Sequence, residues 1–84
     1  MYFVYVLLTN NHKFYIGYTS NVSRRIKGHK QGKTKSTRNY LPIKLIFCEI
    51  YLNKIDARRR EQYLKTSKGK TTLRLMIKEY LKTI

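Results

Sequence analysis

Seven consecutive residues, Tyr2-Phe3-Val4-Tyr5-Val6-Leu7-Leu8, put apolar or aromatic side chains on both alternating faces of a strand. Successive strand side chains point to opposite sides, so such a segment needs cover above and below. The chain must therefore build a sheet with this strand inside it. At 84 residues the length allows one domain, and a chain this short buries only about 60–65% of its unfolded surface. A hydrophobic share of 42% and an aromatic share of 13% argue against disorder. The single cysteine, Cys48, excludes a disulfide scaffold and a zinc site of paired cysteines. In its apolar stretch Cys48 reads as a small core hydrophobe, suited to a reducing compartment.

Met1 to Leu8 is the longest apolar run and is too short to span a bilayer. It lacks the basic region and cleavage site of a secretory signal. A soluble, cytoplasmic protein with no membrane attachment is expected.

The remaining elements follow from local signals. Asn10-Asn11-His12-Lys13 reads as a turn, and Phe14 to Thr19 resumes strand character, so the first two strands form a hairpin. Ser20 or Asn21 caps a helix running to about Gln31, with Gly32 as its stop. Lys33 to Asn39 is polar and reads as a loop before Pro42. Lys44 to Leu52 is a third strand. Asn53 caps a second helix reaching about Ser67, with Asp56 in its first turn. Gly69 is expected to break the helix, and Thr71 or Thr72 to start a last one. The order is β-β-α-β-α-α, a small sheet with helices packed on it.

Nineteen Lys or Arg against four Asp or Glu give a formal charge of +15. Only Lys13 among the Lys and Arg precedes Arg24. A polyanionic partner is implied, with nucleic acid first.

Some residues exceed what a core needs. At 100° per residue, Arg25 and His29 fall within the arc of the apolar stripe formed by Val22 and Ile26. They either snorkel at the core edge or form an anion cradle. Glu61 flanks the stripe of Ala57 and Leu64. It is either an ion-pair partner of Arg58 or Lys65, or an oxygen ligand for a hard divalent cation. Tyr15 and Gly17 share one strand face, and a strand glycine often marks close approach of another group. Spacing alone does not raise Tyr15 above the other tyrosines.

Tyr5, the triplet Tyr15-Ile16-Gly17, Arg25, His29 and Glu61, in this order and spacing, resemble the GIY-YIG nuclease superfamily. The first triplet reads Phe3-Val4-Tyr5 and keeps its Tyr. The segment from Ala57 to Lys65, with Thr66-Ser67-Lys68-Gly69, resembles small standalone members related to the nuclease domain of the bacterial repair excinuclease. The resemblance spans essentially the whole chain, residues 1–84, as one domain.

The resemblance implies an α+β fold, a three-stranded antiparallel sheet flanked by helices. It implies hydrolysis of a DNA phosphodiester with Mg²⁺ or Mn²⁺. Carried over by position, Glu61 would hold the metal and Arg25 would stabilise phosphate charge. Tyr15 would be a general base for water, and Tyr5 would orient water or phosphate. His29, at a position that is Tyr in some members, is a rival base or a phosphate ligand. Arg24, Lys27, Lys30, Lys33, Lys35, Arg38, Arg58, Arg59 and Arg60 would contact DNA phosphates near this site. A structure-specific or repair role with a targeting protein partner is expected, with the chain a monomer or weak dimer. The alternative is a non-catalytic basic nucleic-acid-binding module on the same fold.

Overall fold

A computed structural model describes all residues, 1–84. Strand β1 (Tyr2–Leu8) lies in the middle of a three-stranded antiparallel sheet, between β2 (Phe14–Thr19) and β3 (Lys44–Tyr51). Its double-sided apolar pattern demands this position. Tyr5 stands opposite Gly17 on β2 and Cys48 on β3. The register slips between Val6 and Leu7 against β3.

Two cores result. On one face Tyr5 and Leu7 pack with Ile26 of helix α1 (Val22–Lys30) and with Ile43. On the other, Val4, Val6 and Ile16 pack against Ala57 and Leu64 of α2 (Lys54–Leu64) and Leu73 of α3 (Ser67–Met76). A short helix α4 (Lys78–Leu81) follows. The helix starts are as expected. The Asn21 side chain accepts from Arg24 N, and the Asn53 side chain from Ile55 N. Gly32, at φ 74°, follows the end of α1.

Three local expectations are corrected. Gly69 does not break a helix: α2 stops at Leu64, Thr66 caps α3, and Gly69 lies inside α3. The glycine is required for packing, because a Cβ there would stand 1.9 Å from the Tyr63 carbonyl oxygen. The chain's last helix starts earlier and divides at Ile77 into α3 and α4. Cys48 is exposed rather than in the core. It shares the α1 side of the sheet with Tyr5, but α1 packs over β1 and β2 and leaves β3 open at the sheet edge.

No helix is long and apolar enough to cross a membrane.

Candidate active site

The cluster starts from the close approach of β1 and β2. Gly17 has no side chain, so the Tyr5 ring lies across it toward α1. There the Tyr5 hydroxyl is 2.9 Å from His29 Nε2 and accepts from Arg25 Nε at 3.3 Å. Arg25 and His29, four apart on α1, occupy adjacent turns of one helix side and so reach one oxygen. The Tyr15 ring meets the His29 ring edge-on, 5.1 Å between centroids, and lies 6.5 Å from the Tyr5 ring.

Burial divides these four residues into an inner and an outer pair. Tyr5 and His29 are fully buried. Tyr15 is half-buried and Arg25 is exposed. Burial pushes the Tyr5 hydroxyl above its ordinary value of 10.0, against the opposing pull of the Arg25 hydrogen bond. Burial, then the Arg25 charge, pushes His29 below 6.5. Bonding to Tyr5 raises Arg25 further, and Tyr15 contributes to that rise. At neutral pH the site therefore holds a protonated phenol, a neutral imidazole and a fixed cation.

Glu61 arrives from α2. Of the four carboxylates it is the one whose charge acts on Tyr5. Its side chain is 13% exposed and is flanked by Arg58 Nε at 3.5 Å and Lys65 Nζ at 3.2 Å. The ion pairs with Arg58 and Lys65 are thus both present. Arg58 also stacks over the Tyr18 ring at 5.0 Å. No group of three or more His, Cys, Asp or Glu side chains gathers anywhere. Glu61 supplies a single carboxylate, an oxygen donor of the kind that hard divalent cations take.

The basic residues separate by helix flank. On α1, Arg24 and Arg25 with Lys33 line a cavity of about 440 Å³ that has no hydrophobic wall. Lys30 instead lines an apolar groove with Ile26 and Leu45 on the opposite flank, and Lys27 borders both sides. Lys35 and Arg38 are exposed on the loop.

On α2, only Arg58 shares the Glu61 flank. Arg60 donates twice to the Glu49 carboxylate, at 2.9 and 3.2 Å, and Arg59 pairs with Asp56 at 3.1 Å. The expectation that all three arginines gather at the site is corrected. A 3.6-residue period sends Arg59 and Arg60 to the β3 side.

Two residues of the site lie outside the sequence expectation. Thr37 Oγ1 is 2.7 Å from His29 Nδ1, and Ser36 Oγ donates to the Tyr15 hydroxyl at 3.4 Å. Both hydroxyls sit in a polar run where nothing distinguishes them by residue type. The only sequence signal was their nearness to His29 across the short turn after Gly32.

The family model for the GIY-YIG catalytic domain matches residues 1–74. The chain belongs to the GIY-YIG family. GIY-YIG domains form a nuclease family, so this chain carries a nuclease-type domain with DNA as its implied substrate class. It is similar to a UPF0213 protein of Clostridium perfringens, 36% identical over 98% of this chain and 89% of that protein. It is also similar to the UPF0213 protein YazA of Bacillus subtilis, 37% identical over 76% of this chain and 66% of that protein. The solution NMR structure of a UPF0213 protein from Bacillus halodurans superposes with a TM-score of 0.59. That structure is 35% identical, covering 90% of this chain and 85% of its own. The α+β sheet architecture expected of a GIY-YIG member is therefore the one found.

Proposed function

We propose that this protein is a DNA endonuclease that hydrolyses phosphodiester bonds with Mg²⁺ or Mn²⁺. The observation that carries this reading is the bonded set of Tyr5, Arg25 and His29, with Tyr15 and Glu61 beside it, under a basic surface.

Each side chain has a task that its environment supports. Arg24 and Lys33 draw a DNA phosphate into the polar cavity, and the exposed guanidinium of Arg25 meets it at the rim. Tyr5 engages one of the five N–H donors of Arg25, at Nε, and the remaining donors of the fork suit phosphate oxygens. Tyr5 thus acts on the guanidinium rather than on water, since it is fully buried.

His29 is equally buried with both ring nitrogens engaged, which favours Tyr15 as the base for the attacking water. Ionising a free Tyr at pH 7 costs about 4 kcal/mol. Glu61 would hold the metal, displacing its exposed partners Arg58 and Lys65. The bound ion supplies Lewis-acid stabilisation of charge on the phosphate and on the leaving 3′ oxygen.

A repair-related role on branched or damaged DNA, with a targeting partner, extends this reading. A cytoplasmic setting suits the free Cys48 thiol.

The test is nicking of supercoiled plasmid with Mg²⁺ or Mn²⁺, followed by flap, branched, single-stranded and duplex substrates. Glu61→Ala and Arg25→Ala should abolish cleavage, and cleavage that survives either change rejects the assignment. The two ion pairs that occupy Glu61 favour a second reading, a non-catalytic DNA-binding module. Tight DNA binding with no cutting across metals and substrates would establish it.

A further inference from the structure

Thr37 sits in an exposed, charged loop, yet its own side chain is buried, with 1% of its surface left. The loop backbone turns it inward. Thr37 N donates to the Thr34 carbonyl at 3.2 Å, and Tyr40 N donates to the Thr37 carbonyl at 2.9 Å. The hydroxyl ends 2.7 Å from His29 Nδ1.

Hydrogen-bond bookkeeping fixes where the protons lie. The Tyr5 hydroxyl has one hydrogen and two partners, Arg25 Nε and His29 Nε2. Arginine only donates, so the Tyr5 hydrogen must go to His29 Nε2. Nε2 then carries the lone pair, and the neutral ring keeps its proton on Nδ1. Nδ1–H donates to Thr37 Oγ1. In the other tautomer the Tyr5 hydrogen would be buried without an acceptor; in this one it is the hydrogen of Thr37, an aliphatic hydroxyl and a weaker donor than a phenol.

We propose that Thr37 is a positioning residue: it accepts from His29 Nδ1–H, holds the ring in place and, through Tyr5, fixes the placement of the Arg25 guanidinium. The loop that carries Lys33, Lys35 and Arg38 is thereby joined to the group that meets phosphate. The consequence for cleavage rests on the nuclease reading, whereas the proton positions do not.

Nitrogen-resolved NMR of the whole protein tests this without any reaction. In the wild type, His29 should carry its proton on Nδ1, and the Arg25 Nε–H should be slow to exchange. Thr37→Val keeps the side-chain shape and removes the acceptor. It should leave Nδ1–H without its acceptor, move the His29 ring resonances and release the Arg25 Nε–H, and Thr37→Ser should restore all three. In the plasmid assay Thr37→Val should lower kcat by about 10- to 100-fold with KM near wild type, since misplacement of a charge-stabilising group acts on the transition state.

A proton on Nε2 in the wild type overturns the assignment. Unchanged His29 and Arg25 resonances in Thr37→Val do the same. Should Thr37→Val fail to fold, the wild-type ring and the Thr37→Ser spectra decide. If the resonances behave as expected and the wild type cuts no DNA, the nuclease reading fails and the Thr37 assignment stands.

Discussion

A Cβ on Gly17 would stand 2.2 Å from Tyr5 Cζ and 2.3 Å from the Tyr5 hydroxyl, so the two residues share one side-chain volume across paired strands. Tyr5 is fully buried and has no room to swing aside. Gly17→Ala should cost about 1–3 kcal/mol in urea unfolding, the range for overpacking a filled core. It should also displace the hydroxyl from Arg25 and His29 and so lower plasmid nicking by more than the stability loss accounts for. Unaltered stability would mean that the Tyr5 ring does not lie over Gly17.

Glu61→Gln keeps the shape of the side chain and removes its charge. Divalent-metal affinity, read by calorimetry in the presence of uncleavable DNA, should fall by more than the roughly 10–100-fold typical of groups one shell further out. DNA affinity without metal should hold or rise, because Arg58 and Lys65 lose their internal partner. Metal binding equal to wild type would move the ligand elsewhere.

Salt titrations should separate the arginines that the helix period divides. Arg24 lines the polar cavity, so Arg24→Gln should reduce the log–log salt slope of DNA binding by about one. Arg60 is held by Glu49, so Arg60→Gln should leave the slope in place. Its effect should appear as a stability loss of about 1.5–3 kcal/mol, the range for hydrogen bonds to a charged group. Equal slope changes in the two variants would show that Arg60 reaches DNA.

Stability should fall on the acid side through the titration of His29 and on the alkaline side through that of Tyr5. His29 is lowered by burial and by Arg25, so below pH 6.5 the unfolded chain takes up a proton that the folded chain resists. Its contribution is complete above 6.5 and is lost as pH falls through the folded value. Tyr5 is raised, first by burial, so its contribution is complete below 10.0 and is lost as pH rises through the folded value. Thermal unfolding across this range checks both limbs. His29→Gln should flatten the decline just below 6.5, and an unchanged decline would assign it to another group.

The residues that the sequence exposed most clearly are those whose environment is local. The double-sided run at Tyr2–Leu8, a cap at Ser20 or Asn21, the Asn53 cap and the shared helix side of Arg25 and His29 all agree with the fold. Each depends on a helix or strand period. The misreadings depend on what packs across the fold. Gly69 looks like a helix breaker until the Tyr63 carbonyl is brought against it. Cys48 looks like core until β3 proves to be an edge that α1 does not cover. Arg58, Arg59 and Arg60 look like one patch because they are consecutive, but consecutive helix residues point 100° apart. Thr37 was invisible because a hydroxyl in a polar run gains meaning only from the ring it reaches.

The order of pairing in the sheet has a kinetic side. β1 joins its near neighbour β2 through a five-residue turn, but its other edge waits for β3, pairing Tyr2 with Tyr51 and Leu8 with Lys44. Closing so long a loop comes late in folding. Glu61 lies beyond β3 in the chain, on α2, whose Ala57 and Leu64 pack on Val4, Val6 and Ile16. A nascent chain can thus present its α1 and loop cations to nucleic acid before Glu61 is seated beside Tyr5. On the nuclease reading, attraction to DNA during synthesis would precede the capacity to cut it, and the completed sheet would act as the molecule's own safety catch.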